Sequence, residues 1–238
     1  MFSRKLTLQM KLMMLLVVMP FYFFCGSIIV SALLKFAVLE FGLLLDENMA
    51  TALLNVLLDG MLVVITILIF KDTLKQQFED FFKDLGKNLN YALLKGPLIV
   101  YGCSFIGGIL SVTLQGETTS ANQALLETLI SEHWFLMAVA SVILAPIFEE
   151  LLFRGTIFSW LYEIHPKFAH VVSGFIFGFV HVMNAVFSGN VTEILQVFAY
   201  FFMGIALSYL YEKTNTIYVP IITHAINNLI AVILVTVI

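Results

Sequence analysis

Apolar residues along this chain come in long runs, and the polar residues between them fall at the intervals a bilayer would impose. The first run, 12–34, is too long for the cleaved core of a signal peptide and has no small-x-small exit, so it predicts a transmembrane helix, bent at Pro20. Six more apolar runs predict spans over 52–70, 91–114, 135–161, 168–187, 194–211 and 217–238. At ~1.5 Å per residue each reaches roughly across the ~30 Å hydrocarbon layer. The expected fold is therefore all-α: a polytopic transmembrane helix bundle of about seven spans, with six to eight as the range, in which 1–238 forms a single integral membrane domain.

The polar interruptions differ in kind. Residues 71–90 form the most charged segment, yet Leu74, Phe78, Phe81, Phe82 and Leu85 recur at helical spacing. That pattern predicts an amphipathic interfacial helix lying on the membrane surface. Residues 115–123 are rich in Gly, Thr and Ser and predict a loop, followed by a short interfacial helix over 124–130. A tight turn is expected at Ser188, Gly189 and Asn190, and a short polar connection over 212–216. The cations are asymmetric. Arg4, Lys5 and Lys11 precede the first span; Lys71, Lys75, Lys83, Lys87 and Lys95 follow the second; Lys167 follows the fourth and Lys213 the sixth. With Lys35 as the exception, this places the N-terminus in the cytoplasm and the C-terminus outside.

Composition narrows the class. With 61% hydrophobic and only 12% charged residues the chain is no ordinary soluble globule, and the lipid bilayer is its first partner. A net charge of -4, without any Lys/Arg block, leaves nothing to track a phosphate backbone, so nucleic acid is not an expected partner. Cys25 and Cys103 fall in apolar runs without C-x-x-C spacing and are expected as buried thiols with neither a disulfide nor a metal role. The lack of a eukaryotic targeting segment, with the compact size, makes a bacterial plasma membrane the expected location.

Candidate chemistry concentrates in 145–155, Ala-Pro-Ile-Phe-Glu-Glu-Leu-Leu-Phe-Arg-Gly, which places two carboxylates and a guanidinium inside an apolar span. Ionisable groups there cost several kcal/mol and persist mainly for function. Glu150 and Arg154 are four apart and share a helical face, so they are expected to pair, whereas Glu149 points ~100° away and is left for chemistry. Only two other spans carry suitable partners: Phe177-Gly-Phe-Val-His181, and His224-Ala-Ile-Asn-Asn228, whose His224 and Asn228 share a face. Counted along the helices, Glu150, His181 and His224 are expected to meet between the bilayer midplane and its cytoplasmic side. His165 and His170 at a cytoplasmic turn, and His133 at the outer end of the fourth span, are expected to be solvated. Asp59 is also intramembrane and has no assigned role.

The series Glu149-Glu150-x-x-x-Arg154, Phe177-x-x-x-His181 and His224-x-x-x-Asn228 resembles, in order and spacing, the motifs of the CAAX protease and bacteriocin-processing family. The resemblance covers 145–228. It implies an α-helical membrane endopeptidase acting on a membrane-associated peptide or protein, with Glu149 as general base, His181 holding the water, His224 and Asn228 serving the oxyanion, and Glu150 with Arg154 setting the geometry. Amide hydrolysis needs such a base and such donors. No cofactor is favoured, because an asparagine suits an oxyanion hole better than a metal shell and no H-E-x-x-H is present. If zinc is bound, its ligands are Glu149, His181 and His224. The same family resemblance admits a non-proteolytic reading, in which the chain modulates a membrane partner in bacteriocin immunity or sensor-kinase regulation. A transporter is disfavoured, since no inverted repeat is visible.

Overall fold

The computed structural model describes residues 6–116 and 119–237; Arg4 and Lys5, residues 117–118 of the expected loop and the last residue of the expected final span lie outside the described residues. Seven helices are long and apolar enough to cross a membrane: α1 (Leu8–Phe41), α2 (Glu47–Lys83), α3 (Leu85–Gln115), α4 (Ala121–Tyr162), α5 (Pro166–Phe187), α6 (Val191–Thr214) and α7 (Tyr218–Val237). Among the described residues there is no strand. Backbone polar groups in lipid must be satisfied within the segment, and helices do this without a partner strand. The side-chain distribution fits the same solvent. Leu33, Phe36, Leu68 and Phe105 stand fully outward, while Thr66, Glu150, Arg154, Ser173 and Thr223 are buried. The chain is an integral membrane protein.

Local chemistry sets the helix ends. Asp46 caps α2 by accepting from the Met49 backbone N–H at 2.7 Å, a bond that holds its carboxyl below the usual carboxylate range. Gly42 ends α1 with φ +62°, and Gly189 makes the expected turn with φ +102°, values that side-chain-bearing residues rarely adopt. Interior packing relies on small residues. A Cβ on Gly204 of α6 would lie 2.8 Å from the Gly174 Cα of α5, and one on Gly178 would lie 2.7 Å from the Val197 carbonyl oxygen. Helices α5 and α6 therefore touch backbone to backbone.

Several expectations need correction. The charged segment 71–90 is helical but is not a separate surface helix: α2 continues to Lys83, the chain breaks at Asp84 (φ -116°, ψ 41°), and α3 begins at Leu85. Its inner face is bonded to the bundle, since Gln77 accepts from the Ile217 N–H at 2.6 Å and Thr216 donates to the Gln77 carbonyl at 3.1 Å. The first span is as expected one helix through Pro20, with wider π-type turns on either side that accommodate the missing N–H. Helix α4 takes in both the short helix expected over 124–130 and the fourth span, broken at His133 (φ -133°, ψ 47°). His133 Nε2 stands 3.6 Å from Asp46, tying the break to the start of α2. Cys25 is exposed on the bundle exterior and Cys103 half-buried, so neither is the buried thiol expected. His170 is not a solvated turn residue either: its ring nitrogens reach Ser208 at 2.7 Å and Glu212 at 3.0 Å.

Candidate active site

Three helices bring the motif residues together. On α4, Arg154 Nη1 donates to Glu150 Oε1 at 2.8 Å, with both side chains fully buried. The spacing of four makes the pair, and burial sharpens its demands: a desolvated guanidinium needs acceptors on its remaining N–H groups. Nη2 finds the Gly204 carbonyl at 3.1 Å, reachable because α6 approaches so closely through its glycine. The Phe177 ring lies 4.4 Å from the guanidinium centre and adds a cation–π contact. Beyond this pair, residues Leu151–Phe158 form a π-helical stretch in which every residue is buried. Thr156 and Ser159 donate to the carbonyls five residues back, Leu151 and Arg154, helping to satisfy the wider turns.

Glu150 holds a second partner. His224 Nδ1 lies 2.9 Å from the same Oε1 that receives Arg154. A carboxylate accepts, so Nδ1 carries the hydrogen and the Nε2 lone pair points away. Nε2 lies 3.9 Å from Glu149 Oε2. His181 repeats this arrangement with a backbone orienter: its Nδ1 donates to the Phe177 carbonyl at 2.7 Å, leaving Nε2 as an acceptor 4.0 Å from the same Glu149 oxygen. The ring is fixed by stacking on Tyr200, with centroids 4.4 Å apart. Glu149 Oε2 is buried and has no hydrogen-bond partner in the structure. Five of the six residues singled out from the sequence thus form one connected cluster. The sixth, Asn228, lines the same cavity, but its Nδ2 donates to the Ser141 carbonyl at 2.8 Å and its Oδ1 accepts from Asn227 at 3.1 Å.

A cavity of about 420 Å³ meets Glu149, His181, His224 and Asn228. It runs from Glu149 toward Asn122 and Gln123 at the start of α4, and it is lined on the way by Tyr22, Asp59 and Tyr200. The lysine-bearing end of the bundle, where Lys11 pairs with Glu163 at 2.9 Å, is closed off by the buried 151–158 stretch. At ~1.5 Å per residue, His181 lies fifteen residues (~22 Å) beyond Pro166 on α5, whereas His224 lies six residues (~9 Å) beyond Tyr218 on α7. Of the lining residues, Asp59 was visible in the sequence as an intramembrane carboxylate without a role. Tyr22 and Tyr200 gave no signal, because an aromatic in an apolar run is indistinguishable from packing.

A family model described as type II CAAX prenyl endopeptidase Rce1-like matches residues 131–230, which contain all six motif residues. The "Putative membrane peptidase YdiL" of Bacillus subtilis (strain 168) is 30% identical over 194 residues, covering 79% of this chain and 75% of that protein. No solved structure matches the chain.

Proposed function

We propose that this chain, which belongs to the CAAX protease and bacteriocin-processing family, hydrolyses a peptide bond in a membrane-associated peptide or protein with water activated by Glu149. The observation that carries the reading is the unpartnered, buried Glu149 Oε2 facing the Nε2 atoms of two imidazoles whose Nδ1 atoms are each bonded to another oxygen. A water between them has two hydrogens, one for Glu149 Oε2 and one for the Nε2 of either imidazole. A water ~2.8 Å from each of two acceptors spans a gap of about 4 Å at an angle near 90°, so the 3.9 and 4.0 Å separations suit it.

In this reading His181 or His224 holds the water by one hydrogen, and Glu149 removes the other as the oxygen attacks the scissile carbonyl carbon. The tetrahedral intermediate then carries its charge on the former carbonyl oxygen. His224 has its N–H committed to Glu150, so the donor role expected for it passes to the amides of Asn228 and Asn227; Asn228 gives one hydrogen to Ser141 and keeps the second for the cavity. Collapse breaks the C–N bond, and Glu149 returns the proton to the leaving amine. Arg154 and His224 share Glu150 Oε1, so the pair fixes the carboxylate that orients the His224 ring through Nδ1.

Zinc is the other chemistry that these residue types serve. Ligands at ~2.0–2.1 Å from a tetrahedral metal stand about 3.3 Å from one another, whereas Glu149 is 4.0 and 3.9 Å from the two histidines. Among the described residues no group of three His, Cys, Asp or Glu side chains has metal-binding geometry. We therefore propose hydrolysis without a metal. We further place the lysine-bearing end in the cytoplasm of a bacterial plasma membrane, giving an N-terminus inside and a C-terminus outside.

The test is a comparison of membrane peptidomes from cells carrying the intact protein and cells carrying Glu149→Gln. Peptides whose ends change between the two identify the reaction. Unchanged peptide ends, with biological function kept by Glu149→Gln at normal abundance, would replace proteolysis with a partner-binding role.

A further inference from the structure

Among the described residues, Asp59 is the one cavity carboxylate that the reaction above does not use. It lines the same cavity as Glu149, and among the described residues it makes neither a hydrogen bond nor an ion pair. No lysine or arginine lines that cavity, and the nearby guanidinium of Arg154 is already committed to Glu150. An ionisable group in a membrane interior is normally paired or functional. Asp59 has no partner among the described residues, so the cation that would complement it comes from the cavity's occupant.

Helix register locates Asp59 relative to the chemistry. A Cβ on Gly60 would lie 3.9 Å from Leu144, and one on Gly155 would lie 3.3 Å from Phe70, so α2 and α4 run side by side in the same direction. Glu149 is five residues beyond Leu144, which at ~1.5 Å per residue is ~7 Å. Asp59 therefore stands about one and a half turns from Glu149, toward the cavity mouth at Asn122. An extended peptide advances ~3.3 Å per residue, so that offset corresponds to about two residues of substrate. Asn55, one turn earlier on the same face of α2, also lines the cavity and has an amide able to bond peptide backbone beside Asp59.

We propose that Asp59 is a specificity-determining residue that binds a lysine or arginine side chain, or a free amino group, within about two residues of the scissile bond. The substrate is then an apolar membrane peptide with a cation at a fixed distance from the cleavage point. This rests on the peptidase reading, and the test separates the two. Matched twelve-residue apolar peptides, each with a single lysine or norleucine, which keeps the four-carbon chain without the ammonium, at successive positions, are titrated into the purified protein, and binding is followed by fluorescence anisotropy. At one position, lysine should bind about tenfold or more tightly than norleucine. Asp59→Asn should abolish that preference while norleucine peptides bind as before, and Asp59→Lys should shift it to glutamate at the same position. Equal binding of lysine and norleucine peptides, a lysine preference that survives Asp59→Asn, or no binding by any peptide would each overturn the proposal. Turnover of the same peptides is read separately. A lysine preference in binding without cleavage counts against proteolysis alone, and cleavage without that preference counts against the Asp59 subsite alone.

Discussion

Removing Arg154 tests the buried network at its most costly point. Both Arg154 and Glu150 have no exposed side-chain surface. In Arg154→Met the methionine fills the volume of the aliphatic stem but not of the guanidinium, Glu150 keeps only the His224 N–H, and the Gly204 carbonyl loses the Arg154 donor. Breaking a buried pair from one side costs about 3–5 kcal/mol, and this is dominated by the uncompensated charge that remains. A factor of ten in equilibrium is ~1.4 kcal/mol, so the unfolding equilibrium should shift by about 10²- to 10⁴-fold. The assay is reversible unfolding by SDS in mixed micelles, run on Arg154→Met, Glu150→Met and the double variant. With both charges gone no buried ion remains unpaired, so the double variant should be more stable than Arg154→Met despite carrying one more substitution. It should still be inactive, because His224 has lost the carboxylate that sets its tautomer. A loss below about 1 kcal/mol for Arg154→Met, or a double variant at least as unstable as the sum of the singles, would refute the desolvated ion pair.

Asn228→Ala should reduce kcat on the order of 10²- to 10³-fold with normal abundance, as expected for one oxyanion donor; a change confined to KM would assign Asn228 to binding instead. Activity should survive exhaustive chelation, and the purified protein should carry less than stoichiometric zinc. Stoichiometric zinc lost and regained together with activity would make Glu149, His181 and His224 ligands. In a background lacking Cys25 and Cys103, a cysteine at Asn122 near the cavity mouth should react in intact cells with a membrane-impermeant reagent, and one at Lys83 should not. The reverse pattern would invert the orientation.

Much of this fold is legible in apolar run lengths, since ~20 apolar residues in sequence have one common solution in lipid. The end of α2 was not legible. An amphipathic surface helix and the inner face of a helix extending beyond the bilayer share the 3.6-residue period, and only the bonds of Gln77 to 216–217 separate them. Glu150 and Arg154 could be paired from their spacing alone because i,i+4 geometry is local. That His224 would sit on Glu150, with its remaining nitrogen an acceptor, depends on how α7 packs against α4, and no local pattern encodes it.

The central claim is that water, activated at Glu149, is added across a peptide bond. It is tested most directly by incubating purified protein with a membrane peptide extract in water enriched in oxygen-18 and sequencing the products by mass spectrometry. The account predicts new carboxyl termini carrying a single heavy oxygen with the intact protein and none with Glu149→Gln. New termini formed equally by both proteins, or by neither while Glu149→Gln retains full biological function at normal abundance, would contradict it.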